Sequence, residues 1–336
     1  MGRLYFIMAL LFLISCKNGK HIPDVSHIEA DINIERFEKS FFQIDTNHIT
    51  TGLQKTRDEF PLFYKDFMMG ILQLNLNDSS NATQEIVKSF LGSYSSLNDT
   101  LQMMYKDMSQ IENKLEENFR FVKYYFPNYK IPGIITFIGT LDAPGIALTN
   151  DYIAVGLHQY AGNNFSGYKS MEAQQLYPTY ISRRFAPEYI PVNSMKIVSE
   201  DLFPEQSAGR PLIEQIIENG KRLFLIDHFM PGTPDSLKTG YTKSQQEWVV
   251  ENEGLIWNYI IQNENLYSID PIVIQTYIGE SPFTQNMPQA SPGNIGQWVG
   301  WQIIRKYAEN HSEKSIAEIM KTSPRTILDE AKYKPK

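Results

Sequence analysis

The chain has 336 residues, of which 42% are hydrophobic, and a formal net charge of -7. That hydrophobic fraction suits a globular protein with a sizeable core, while the acidity offers no basic patch for nucleic acid and opposes electrostatic adhesion to anionic lipid. Cys16 is the only cysteine, so no intrachain disulfide can form and packing has to supply the stability.

The chain opens like an exported protein. Arg3 precedes an almost wholly apolar run, Leu4 to Ile14, too short to span a bilayer and suited to a cleaved signal over residues 1–15. Leu13-Ile14-Ser15-Cys16 looks like a bacterial lipobox, which makes Cys16 the expected lipid-attachment site and mature N-terminus. Cleavage there removes 15 residues and one cation, leaving 321 residues and a net charge of -8. Residues 16–25 read as a short lipidated tether and 26–336 as a single domain. The tether carries no acidic run after the cysteine, so the expected address is the cell membrane or outer membrane, anchored by lipid and facing the periplasm.

From Ile28 to Glu35 apolar and polar residues alternate, which predicts a half-buried strand. Residues 51–126 read as helical, and Leu97, Leu101, Met104, Met108, Ile111, Leu115, Phe119, Val122 and Phe126 mark one long helix that Pro127 ends. Three short β-rich runs follow, Gly133 to Gly139, Ile146 to Leu148 and Asp151 to Gly156, with a turn at Asn150-Asp151. A small, mostly antiparallel sheet is their expected product. His158 closes the last run, and an isolated histidine there reads first as structural. Residues 162–180 read as loop.

Ile197 to His228 predicts two helices joined by a short turn, about Pro191 to Phe203 and Pro211 to Phe229. Gly220 falls inside the second, and such a glycine marks close approach of another backbone. Gly296 and Gly300, one helical turn apart near the C-terminus, invite the same kind of contact. All four tryptophans lie in the last hundred residues. Trp257, Trp298 and Trp301, with Asn252 and Glu253, make a candidate binding groove, although large buried anchors are the preferred reading of the indoles. The chain closes on a basic tail, Lys332-Tyr-Lys-Pro-Lys336.

The chemistry on offer is sparse. There is no G-x-S-x-G elbow, P-loop or dinucleotide fingerprint, and no two of the six histidines lie three or four residues apart. Ser199-Glu200-Asp201-Leu202-Phe203 nevertheless stands in the register of the zinc-binding H-E-x-x-H motif, with Glu218 where a third, acidic ligand would follow. Serine and phenylalanine cannot replace imidazole, so Ser199, Glu200, Phe203 and Glu218 form a candidate vestigial site, and neither metal nor other cofactor is expected. Paired carboxylates such as Glu200 and Glu218 could in principle serve a glycosidase, but such pairs are common by chance.

In order along the chain, the lipobox, Ile22-Pro-Asp-Val25, Ile34-Glu-Arg-Phe37, Ser199-Glu-Asp-Leu-Phe-Pro204, Trp248-x3-Asn252-Glu-x3-Trp257, Ser291-Pro-Gly293, Gly296-x-Trp298-x-Gly-Trp301 and Lys332-Tyr-Lys-Pro335 resemble the gliding motility lipoprotein GldB family of Bacteroidetes. The resemblance spans nearly the whole chain. It implies a cell-envelope lipoprotein required for gliding and linked to type IX protein secretion, with a membrane and proteins of that machinery as partners. A more distant similarity, carried by the order of sheet, Glu200 helix and Glu218 helix, is to gluzincin-type zinc peptidases. Together these give the expected architecture: α+β, predominantly helical, degenerate zincin-like. The expected role is a non-catalytic scaffold or binding component. The alternatives are a residual or unusual zinc-dependent peptidase or hydrolase that would need Glu200, and an envelope glycan or peptide binding module that would need exposed indoles.

Overall fold

The computed structural model describes residues 22–76 and 80–336. Cys16, the signal segment and most of the tether lie outside the described residues. The fold is α+β and predominantly helical, as expected, around a four-stranded sheet. Its strands are β1 (Ile34–Arg36), β2 (Gly133–Phe137), β3 (Ile146–Leu148) and β4 (Tyr152–Gly156), in the spatial order β1-β2-β4-β3.

The sheet is mixed rather than mostly antiparallel. β1 pairs with β2 and β2 with β4 in parallel, and only β3 runs against β4. Only the β3–β4 link is a tight turn, in which the Thr149 hydroxyl accepts hydrogen bonds from the amides of Asp151 and Tyr152. The chain from β1 to β2 carries several helices, the long crossover that a parallel pair requires. The predicted alternation before β1 is real in its burial: Ala30 and Ile34 are buried while Glu29, Asp31 and Asn33 are exposed. Only Ile34–Arg36 pairs as strand. Upstream, Glu116 and Glu112 on a neighbouring helix accept hydrogen bonds from the Ile32 and Ile34 amides, so carboxylates cap an edge that another strand could otherwise extend.

The sheet has helices on both faces. Ile134, Ile138, Ile153 and Val155 face the larger core, whereas Ile135, Phe137 and Ala154 face a second core built mainly by residues 37–91. The long helix expected to reach Phe126 is two helices, Asn81–Met104 and Ser109–Tyr125. The break has local causes. Asp107 Oδ1 accepts the Ser109 amide, an Asx turn that competes with helix, and the buried Tyr105 hydroxyl donates to the Tyr160 carbonyl at 2.6 Å. Residues 162–180, expected as loop, contain short helical turns at Ser166–Lys169 and Met171–Leu176.

Helix Leu212–Phe229 is the axis of the larger core. Thirteen of its eighteen residues are buried, so it is apolar nearly all round, as a central helix must be. Helices Tyr189–Leu202, Ile295–Asn310 and Pro324–Ala331 pack against it. Gly220 meets Gly300 directly: a Cβ on Gly220 would stand 2.0 Å from the Gly300 carbonyl carbon, and one on Gly300 would stand 1.9 Å from the Ile216 carbonyl oxygen. Among the described residues, no helix is long and apolar enough to cross a membrane.

Candidate functional site

The predicted helix pair is present as Tyr189–Leu202 and Leu212–Phe229. The link between them is longer than a turn, and with the N-terminal end of the Pro324–Ala331 helix it encloses a cavity of about 520 Å³. Arg210, Lys221, Arg222 and Lys321 line it with Glu205 and Glu218, and the first three of these cations are ion-paired, with Glu214, with Glu218, and with Glu200 and Glu205 respectively.

Each carboxylate of the vestigial set is engaged. Glu200, at the edge of the cavity, takes Arg222 Nη2 at 2.7 Å and accepts the Glu205 amide at 2.8 Å. The same guanidinium nitrogen stands 2.8 Å from Glu205. Burial alone would raise the Glu205 carboxyl, but hydrogen bonds from Ser207 and the Arg222 charge outweigh it and hold the group below the usual carboxylate range. Glu218 accepts from Lys221 Nζ at 2.8 Å, and Lys221, itself buried, also donates to the Thr322 carbonyl at 2.7 Å. That second bond ties the central helix to the residue before Ser323, the N-cap of the last helix.

Of the other two members, Ser199 is buried away from the cavity lining and Phe203 contributes to that lining. Ser199 is 1% exposed, with an Oγ that has no hydrogen-bond partner, and Phe203 packs edge-on against Phe126 at 5.7 Å. Among the described residues no three His, Cys, Asp or Glu side chains group as a metal site would need. His158 is fully internal: Nδ1 accepts from the Gly139 amide and Nε2 donates to the Ala143 carbonyl. Burial pushes its imidazole down to about 4, against smaller opposing effects of Ala143 and Asp142.

The tryptophan groove is corrected. Trp298 and Trp301 are 2% and 0% exposed, on the helix face that packs under Leu212–Phe229. Trp257 is covered by Tyr333 of the C-terminal tail, whose hydroxyl donates to Glu253 at 2.7 Å. The Asn252 amide is spent on the Trp248 carbonyl at 2.8 Å. The three indoles anchor the larger core, Asn252 and Glu253 are half-buried, and the cavity's third wall comes from residues 320–324 instead. Lys221, Arg222 and Arg210 are the cavity-lining side chains that motif reading passed over. The signal for Lys221 and Arg222 lay in Glu218-Asn-Gly-Lys-Arg222, where a lysine and an arginine follow Glu218 by three and four residues.

A family model described as gliding motility protein GldB matches residues 18–335. The chain belongs to the GldB family. That makes it a gliding-motility lipoprotein, in keeping with a membrane-anchored protein that has no spanning helix among its described residues. No curated protein and no solved structure matches the chain. The likeness to zinc peptidases therefore finds no support outside the order of its elements.

Proposed function

We propose that this GldB-family lipoprotein is a non-catalytic component of the gliding machinery, linked to type IX secretion, that holds partner proteins at the membrane. In this reading Cys16 carries the lipid, the folded part faces the periplasm, and the cavity beside Glu218 receives a partner segment. The observation that carries the reading is the engagement of Glu200 by Arg222 and of Glu218 by Lys221. A general base or metal ligand has to present free lone pairs to an open site. Here a Glu200 oxygen serves Arg222 of the adjacent helix and a Glu218 oxygen serves Lys221 of its own helix, and the contacts brace the 203–211 link and, through Lys221, the last helix. The two arginines that line the cavity suit a partner segment that bears carboxylates, because arginine forks match them in two-point contacts.

Glu200→Gln in the full-length chain tests this against a residual hydrolase. Glu200 is partly exposed, so the lost ion pair costs about 1 kcal/mol or less. Cells carrying the variant should glide normally at unchanged protein abundance. Loss of gliding by a folded, normally abundant Glu200→Gln protein would return the site to catalysis.

A further inference from the structure

We infer that the cavity beside Ile22 and Pro23 receives an acyl chain of a phospholipid from the membrane that anchors the protein. The inference rests on Cys16 carrying lipid, as in the reading above, and adds to it a ligand and a membrane-facing end. The cavity measures about 450 Å³, within the range of small-molecule sites. It lies between the C-terminal end of helix Leu212–Phe229, the C-terminal half of helix Ile295–Asn310, and helix Ile316–Lys321.

Apolar side chains predominate in its walls. Tyr125, His228 and Phe224 make one continuous side, with the imidazole 5.5 Å from the Tyr125 ring and 4.4 Å from the Phe224 ring. His228 Nδ1 donates to the Phe224 carbonyl at 2.7 Å, which fixes the ring in that stack. Pro231, Ile316 and Ile319 continue the lining to Ile22 and Pro23. The charged lining residues balance, Asp227 and Glu309 against Arg305 and Lys314. Arg305 pairs with Asp227 at 3.1 Å, and Glu309 with Lys306 at 3.0 Å. Such a site holds hydrocarbon by excluding water and has no net charge with which to select an anionic headgroup.

Chain length chooses the occupant. Ile22 is six residues beyond Cys16, so the cavity wall stays within about 20 Å of the lipidated residue even when the chain between them is fully extended. Apolar surface continues outside the mouth: Ile22 is 51% exposed, and Tyr124, whose ring meets Tyr125 at 4.9 Å, is 46% exposed. Tyrosine suits the headgroup level of a bilayer. A protein partner would have to find this cavity by diffusion, whereas the tether keeps bilayer lipid at its mouth. A chain drawn from Cys16 itself is the poorer occupant, because stable anchoring takes two lipid signals and the anchor would lose one.

A photo-crosslinker at position 316 of the full-length lipidated protein, in phosphatidylcholine vesicles, tests the inference. Position 272 is the control, because Ile272 is 76% exposed and lies four residues after Ser268, whose carbonyl accepts the Leu212 amide at the opposite end of the central helix. That end is about 27 Å away along the helix axis. The expected result is a phospholipid adduct at 316, absent at 272, and unchanged by raised salt or added phosphatidylglycerol. Ala308→Phe, which fills the cavity, and Ser312→Trp, which narrows it from an exposed position, should each abolish the adduct. A flexible Gly-Ser insertion of about 20 residues after Lys20 should lower it several-fold, as effective concentration falls with linker length. No adduct at 316, equal adducts at both positions, an adduct with the chain's own Cys16 lipopeptide, one that requires phosphatidylglycerol, or one that both substitutions leave unchanged overturns the proposal. The mass of the N-terminal peptide separates the two readings. Acylated Cys16 without the adduct removes the lipid site alone, whereas unacylated Cys16 removes the anchor and this proposal with it.

Discussion

His158 sits at the end of β4 with both ring nitrogens committed to backbone groups, and its neutrality in the folded state has a measurable consequence. Its pKa falls from the ordinary 6.5 to about 4 on burial. Above pH 6.5 both folded and unfolded chains hold it neutral, so it adds no pH dependence there. Between 6.5 and 4 the unfolded chain takes up the proton and the folded one does not, so stability drops as pH falls, by on the order of 3 kcal/mol in total. Denaturant unfolding across this window should show that slope in the parent protein and lose it in His158→Gln. At this scale a single residue type is weak information. An isolated histidine after a strand was legible as structural. The Lys221 partner of Glu218 stood three residues on in the same helix, but the Arg222 partner of Glu200 was not legible, because it reaches across from another helix.

Between elements, glycines were the most informative letters in the chain. Gly220 lowers helix propensity for no local reason, and Gly296 and Gly300 repeat at one turn; the two observations are halves of one crossing. Both Gly220 and Gly300 are needed, because each would place a Cβ on the other helix's backbone rather than on a side chain that could move. Gly300→Ala should therefore destabilise the protein by about 3 kcal/mol or more, measured as a lowered denaturant midpoint at unchanged slope. A loss below about 1 kcal/mol would mean that the crossing can widen. Periodicity carried less. It picked out residues that are buried on either side, Leu101, Met108, Leu115, Phe119 and Val122, yet missed the break between them, where Met104 of the same stripe is exposed. Strand pairing failed for a related reason: three short runs in sequence look like a meander, and nothing local places β3 outside β4.

For the molecule as a whole, the decisive feature is that one sheet serves two cores. Phe67 lies in the smaller core within ring contact of Phe37, Phe41, Phe63, Phe90 and Phe137. Phe137 belongs to β2, whose Ile134 faces the larger core. Loss of the smaller core would strip one face of every β2 and β4 residue that holds the other, so the two cores are expected to melt together, as one domain. All four tryptophans lie in or against the larger core, which makes indole fluorescence blind to the smaller one by itself. Phe67→Ala should cost about 3–5 kcal/mol. If the cores are coupled, fluorescence and far-ultraviolet circular dichroism of the full chain in detergent will shift to the same lower midpoint. A helical signal lost ahead of the fluorescence change would instead mean that residues 37–91 unfold alone and that the sheet, despite its shared strands, divides the chain into two units.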